Sequence, residues 1–199
     1  AATPDAFEQR GLDSMPLRGM LPVTVPGAAA GWADVLERFG TLGLDMVLEP
    51  AIGYAEEGFP VSERIAGSWK GAEEMLRETP EASEAFLIDG KAPRAGQRFC
   101  NPDLGHSLRL LAEDGPDAFY KGPIAEAIIA TSEKYDGLLT ARDLADHTST
   151  WVDPVSTLYH GYRVHECPPN GQGIAALIAL NILSGYDIDA LRYASADAF

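Results

Sequence analysis

The run from Thr150 to Leu183 constrains this chain more than any other stretch, because it sets a strand-like block, a Pro-Pro-Asn-Gly-Gln-Gly turn and an apolar helix in immediate succession. Residues Val155 to Cys167 are rich in β-branched and aromatic side chains, with Gly161 at the centre where a hairpin can reverse. Pro168 and Pro169 cannot donate to a sheet ladder, and Gly171 and Gly173 open backbone angles closed to other residues, so the strand ends here and the chain turns. Beyond the turn, Ile174, Leu177, Ile178, Asn181 and Ile182 recur at helical spacing, while Ala175, Ala176 and Ala179 fill positions between them. A helix of that composition is expected to be buried almost all round.

A glycine turn at the start of such a helix gathers free N–H groups and the positive end of the helix dipole into one small space. Two uses follow: close packing of strand on helix, or binding of an anion or carboxylate. Nucleotide loops are excluded by spacing, since Gly171-Gln-Gly173 lacks the third glycine of a dinucleotide fingerprint and no Lys-Ser or Lys-Thr follows it. The same plan recurs at Val25-Pro-Gly27-Ala, which leads into a helix from Ala28 to Phe39 with Trp32, Val35, Leu36 and Phe39 on one face.

Further helices are expected over Leu44 to Gly58, with Pro50 in a first turn or at a kink, and over Trp69 to Arg77 after a Ser62 cap. Others are expected over Asp103 to Glu113, from Pro116, over Pro123 to Tyr135, and over Leu139 to Ala145 behind a Thr140/Asp143 capping box. Phe86 to Pro93 suits a brief strand and turn, with Asp89-Gly90 as the reversal signal. Glu73, Glu74, Glu78, Glu81 and Glu84 read as a solvated acidic face. No repeat, low-complexity tract or linker interrupts the sequence, so residues 1–199 read as one continuous segment, α+β in class and mainly helical, with a β-hairpin near its C-terminal end. The start at Ala1, and a Ser195 cap that opens a helix with no room to continue, suggest a piece of a longer protein.

With 30 acidic against 15 basic residues, a formal charge of -15 repels nucleic acid and anionic membrane surfaces. The expected partners are small molecules and protein. No signal peptide is recognised, and the compartment stays open between periplasmic or secreted and cytoplasmic. Cys100 and Cys167 have no C-x-x-C partner and are read as reduced; His106, His147, His160 and His165 lie at no metal-ligand spacing. No G-x-S-x-G elbow, H-E-x-x-H or S-x-x-K motif is present, so no catalytic residue and no metal ligand is assigned within the chain.

Several segments taken together resemble the large subunit of the gamma-glutamyltranspeptidase family. They are Val23-Thr-Val-Pro-Gly27 with Gly31-Trp32, Glu49-Pro-Ala51, Glu57-Gly-Phe59, Asn101-Pro-Asp-Leu104, Gly115-Pro-Asp-Ala-Phe-Tyr-Lys-Gly122, Gly137-Leu-Leu-Thr140, Gly161-Tyr-Arg-Val164 and Pro168 to Gly173, in that order. Many members carry Ser-Ser-Gly-Gly where this chain has Asn170-Gly-Gln-Gly173. The resemblance implies an N-terminal-nucleophile amidase, an αββα sandwich made as one precursor that cuts itself into two subunits. It implies a threonine nucleophile at the start of the small subunit, a substrate-holding arginine upstream, a gamma-glutamyl amide such as glutathione as substrate, and no cofactor. Neither the threonine nor the arginine is matched here; Asn170, Gly171, Gln172 and Gly173 are the candidate substrate-binding residues, and the small subunit is the implied protein partner. A cephalosporin-type acylase, or a non-catalytic helical module for a small anion, is the alternative.

Overall fold

The computed structural model describes residues 3–191, so the helix expected to open at Ser195 lies outside the described residues. The chain divides into two compact units, with the boundary between Ser149 and Thr150.

The first unit is helical. It runs through α1 (Pro4–Glu8), α2 (Ala28–Phe39), α3 (Leu44–Glu57), β1 (Phe59–Pro60), α4 (Glu63–Leu76), α5 (Pro80–Phe86), β2 (Arg98–Phe99), α6 (Pro102–Asp114), α7 (Pro116–Tyr120), α8 (Pro123–Lys134) and α9 (Ala141–Ala145). Its core joins Ala29 and Ala30 of α2, Leu48 and Ile52 of α3, Leu111 of α6 and Tyr120 of α7. The expected face of α2 is not the buried one: Trp32, Val35 and Phe39 are 49%, 50% and 67% exposed. Two alanines allow closer backbone approach than large side chains do, and periodicity reports an apolar face without saying which neighbour covers it.

The pair α3 and α6 packs closely because Gly105 is buried; a Cβ there would meet Glu56 Cγ at 2.6 Å. Arg109 closes this contact, with Nε and Nη2 donating to the two Glu56 oxygens at 2.6 Å each. Pro50 lies inside α3 rather than in its first turn, and the helix continues past it to Glu57. Beyond Gly58 (φ 81) the short β1 pairs antiparallel with β2, and a row of ring contacts links Tyr54, Phe59, Phe99, Trp69 and Phe86.

Helix α4 opens at the expected Ser62 cap and runs unbroken through Trp69 to Leu76; Phe86, expected in a strand, is instead the last residue of α5. Asp89 (φ 52) and Gly90 (φ 71) form the expected reversal between the bridged Ile88 and Lys91. The Thr140/Asp143 capping box opens α9 as its spacing predicts.

The second unit is a hairpin with a helix on it. Strands β3 (Val155–Tyr159) and β4 (Tyr162–Glu166) pair in register Val155↔Glu166 to Tyr159↔Tyr162. His160 (φ 46) and Gly161 (φ 84) make the two-residue turn, where positive φ at both positions matches the strand twist. Helix α10 (Gly173–Leu183) has Leu177 as its buried residue, and the Thr157 hydroxyl is hydrogen-bonded to the Asn181 side-chain carbonyl. The expectation of burial all round is corrected here: Ile174, Ile178 and Ile182 are 45%, 52% and 60% exposed. A two-stranded hairpin is wide enough to cover one stripe of a helix only.

Candidate functional site

The turn from Pro168 to Gly173 delivers α10 from the end of β4. Asn170, Gly171 and Gln172 are exposed, and Gly173 is half-buried as the first helical residue. Neither Gly171 nor Gly173 takes a positive φ, so the expectation that both use angles closed to other residues is corrected. The two glycines differ in space instead. A Cβ on Gly171 meets nothing within 4 Å, whereas one on Gly173 would lie 2.6 Å from Glu166 Cβ and 3.0 Å from the Cys167 carbonyl oxygen. Gly173 is therefore required by the approach of strand to helix, and Gly171 is not.

Gln172 supplies its carbonyl to the Ala175 and Ala176 N–H groups at 3.0 and 3.3 Å, and its side chain makes no capping bond. Among the described residues, the Gly173 and Ile174 N–H groups have no hydrogen-bond acceptor. These donors lie at the positive end of α10, where a ligand carboxylate is favoured. Glu166 Oε2 opposes such a ligand, because it lies 3.0 Å from where the Gly173 Cβ would sit. Asn170 and Gln172 add exposed amide groups able to donate or accept beside these N–H groups.

The other glycine turn, at Gly27, is closed. Tyr120, 5% exposed, donates its hydroxyl to the Pro26 carbonyl at 2.7 Å and accepts from the Ala30 N–H at 3.1 Å. Its ring stacks on His147 at 5.1 Å, and His147 Nε2 lies 3.3 Å from where a Gly27 Cβ would be. This turn packs. Sequence reasoning missed Tyr120, although a tyrosine ending a short apolar helix is a group that must find a polar partner when buried.

The four histidines are dispersed: His147 stacks on Tyr120, His160 occupies the hairpin turn, His165 pairs with Ser156, and His106 borders an apolar cleft of about 550 Å³ between α6 and α8. Cys100 and Cys167 are free and exposed. Two of the acidic residues expected to be merely solvated have structural partners. Glu73 is held below the usual carboxylate range first by the Ala92 N–H and then by Arg77, and Arg77 also donates to the Gly90 carbonyl. Hydrogen bonds from Lys134 and then Tyr135 lower Glu81 to about 2.

A mainly helical first unit followed by a hairpin and an apolar helix makes the described residues α+β in class, and the comparisons define the family. The model of the gamma-glutamyltranspeptidase family matches residues 1–199. The chain belongs to that family. It is 41% identical over 187 residues to the Glutathione hydrolase-like YwrD proenzyme of Bacillus subtilis (strain 168), which covers 94% of this chain and 36% of the relative. It is 38% identical to the Acylase ACY 1 proenzyme of Pseudomonas sp. (strain SE83), covering 90% of this chain and 32% of that protein. The crystal structure of Helicobacter pylori gamma-glutamyltranspeptidase superposes with a TM-score of 0.89 at 31% identity, covering 99% of this chain and 58% of that one. The chain thus spans about a third of the length of the curated relatives it matches.

Proposed function

We propose that residues 1–199 are a single segment of the large subunit of a gamma-glutamyltransferase/glutathione hydrolase, completed by the rest of one precursor. The observation that carries this reading is similarity to glutathione hydrolase proenzymes along nearly the whole chain. In the proposed reaction a threonine at the head of the small subunit attacks the gamma-glutamyl carbonyl. Its hydroxyl oxygen bonds to that carbon, the amide C–N bond breaks, and the threonine's own amine relays the proton to the departing amine. Water or an amino acid amine then releases the acyl group; no cofactor is needed.

The segment's own part is the Asn170 to Gly173 turn, proposed to line the substrate site with its backbone N–H groups and the Asn170 and Gln172 amides. Asn170→Ala and Gln172→Ala remove exposed side chains, so in the full-length protein both should keep the wild-type melting temperature while gamma-glutamyl-p-nitroanilide turnover falls severalfold. Unchanged turnover in both variants removes the turn from the site. A second reading, a cephalosporin-type acylase, is favoured by the likeness to the Bacillus halodurans cephalosporin acylase structure, with a TM-score of 0.88 at 39% identity. Parallel assays with glutathione and with a cephalosporin carrying an amide-linked acyl side chain separate the two.

A further inference from the structure

The chain holds three asparagines, Asn101, Asn170 and Asn181, and their surroundings decide which of them is chemically stable. The backbone nitrogen that follows an asparagine can attack its side-chain carbonyl carbon. The attack needs an unhindered N–H, an amide free to rotate, and a backbone held in neither helix nor strand. Asn101 fails on the first count, since Pro102 has no N–H, and its side chain accepts the Leu104 N–H at 3.0 Å. Asn181 fails on the others: it lies inside α10, and its side-chain carbonyl is hydrogen-bonded to the Thr157 hydroxyl.

Asn170 meets every condition. Gly171 follows it with no side chain to hinder the nitrogen, and a Cβ built there meets nothing within 4 Å. Both residues are exposed, in the turn between β4 and α10. Among the described residues, neither the Asn170 amide nor the Gly171 N–H has a hydrogen-bond partner.

We propose that Asn170-Gly171 is a site of spontaneous deamidation, which turns a neutral amide in this turn into a carboxylate. The Gly171 nitrogen bonds to Asn170 Cγ, the bond from Cγ to Nδ2 breaks, and the Gly171 proton leaves with Nδ2 as ammonia. Water then opens the cyclic imide. Opening at Cγ gives aspartate; opening at the main-chain carbonyl carbon gives isoaspartate, in which the β-carbon joins the main chain. No oxidant or cofactor takes part. Either product sets a negative charge ahead of the positive end of α10, where an anion is favoured. On the reading that this turn lines the substrate site, on which this consequence rests, the new charge opposes a substrate carboxylate and turnover falls as the protein ages.

The test is peptide mapping by mass spectrometry of the full-length protein held at mildly alkaline pH, folded and, as a reference, unfolded in urea. In the folded protein, position 170 should convert at least about tenfold faster than position 101 or 181. Gly171→Ala should slow that conversion at least about tenfold, because a β-carbon hinders the attacking nitrogen. An Asn170 that stays intact in the folded protein while it converts in urea overturns the proposal. Conversion of Asn101 or Asn181 at the same rate as Asn170 also overturns it. Turnover of gamma-glutamyl-p-nitroanilide, followed in the same samples, should fall in step with the converted fraction. Because the mapping does not depend on activity, conversion with unchanged turnover leaves the modification in place and removes position 170 from the substrate site.

Discussion

At the entry to α2 the glycine turn is closed from within the molecule, whereas at the entry to α10 it stands open. One buried phenol satisfies both the Pro26 carbonyl and the Ala30 N–H, and His147 fills the remaining space beside Gly27. At α10 the first two N–H groups have no acceptor among the described residues, and the helix shows a row of isoleucines to solvent. A glycine turn at a helix entry thus serves two ends. A turn whose polar groups are consumed locally builds a core, and a turn that leaves them unspent is poised to meet something else.

The sharpest way to break this contrast is at the two glycines of the open turn. Gly173→Val should destabilise the second unit by more than about 2 kcal/mol, since the new side chain must displace the β4 to α10 contact. Gly171→Ala, with open space around it, should stay within about 0.5 kcal/mol of wild type. Urea unfolding of the two variants side by side checks both; equal costs would show that strand and helix do not approach through Gly173.

At the closed turn, Tyr120→Phe keeps the ring and its stack on His147 but strands a buried carbonyl and a buried N–H. The expected loss is about 1–3 kcal/mol, read from the shift in the urea midpoint. A wild-type midpoint would mean that the phenol hydroxyl does not hold the turn. Away from both turns, Thr140→Ala removes one half of the α9 capping box and should cost about 1 kcal/mol.

The smallest effect is electrostatic. Glu81 titrates at about 2 in the folded protein against a usual value of 4.5, because Lys134 and Tyr135 hydrogen-bond its charged form. A depressed carboxylate contributes stability that is fully present above its unfolded pKa and is lost as pH falls through the folded one. That contribution should therefore fade between about pH 4.5 and 2. Lys134→Met should flatten the acid limb of the stability profile in that window and leave neutral stability nearly unchanged, as expected of an exposed pair.

Local chemistry made much of this fold legible beforehand. The Ser62 and Thr140 caps, the prolines that open α7 and α8, and the reversals at Asp89-Gly90 and Gly161 all act within a few residues, so the sequence states them directly. Helix α5 escaped although Thr79-Pro80-Glu81 is a start signal of the same kind, because the apolar Phe86-Leu-Ile run pointed to a strand. Which face of α2 or α10 is covered was beyond reach for another reason: burial depends on neighbours distant in the chain, and for α10 one stripe alone is covered within these residues. The candidate site was legible as a turn, but not in the division of labour between Gly171 and Gly173, which depends on where Glu166 and the Cys167 carbonyl lie.

The proposal that residues 1–199 belong to a self-cleaving gamma-glutamyl amidase is tested most directly by intact mass measurement of the purified full-length protein. Two chains should appear from one precursor, the smaller beginning with threonine, and brief exposure to a gamma-glutamyl substrate should add a gamma-glutamyl group to that smaller chain. A single uncleaved chain, or two chains that take up no acyl group, would contradict the account.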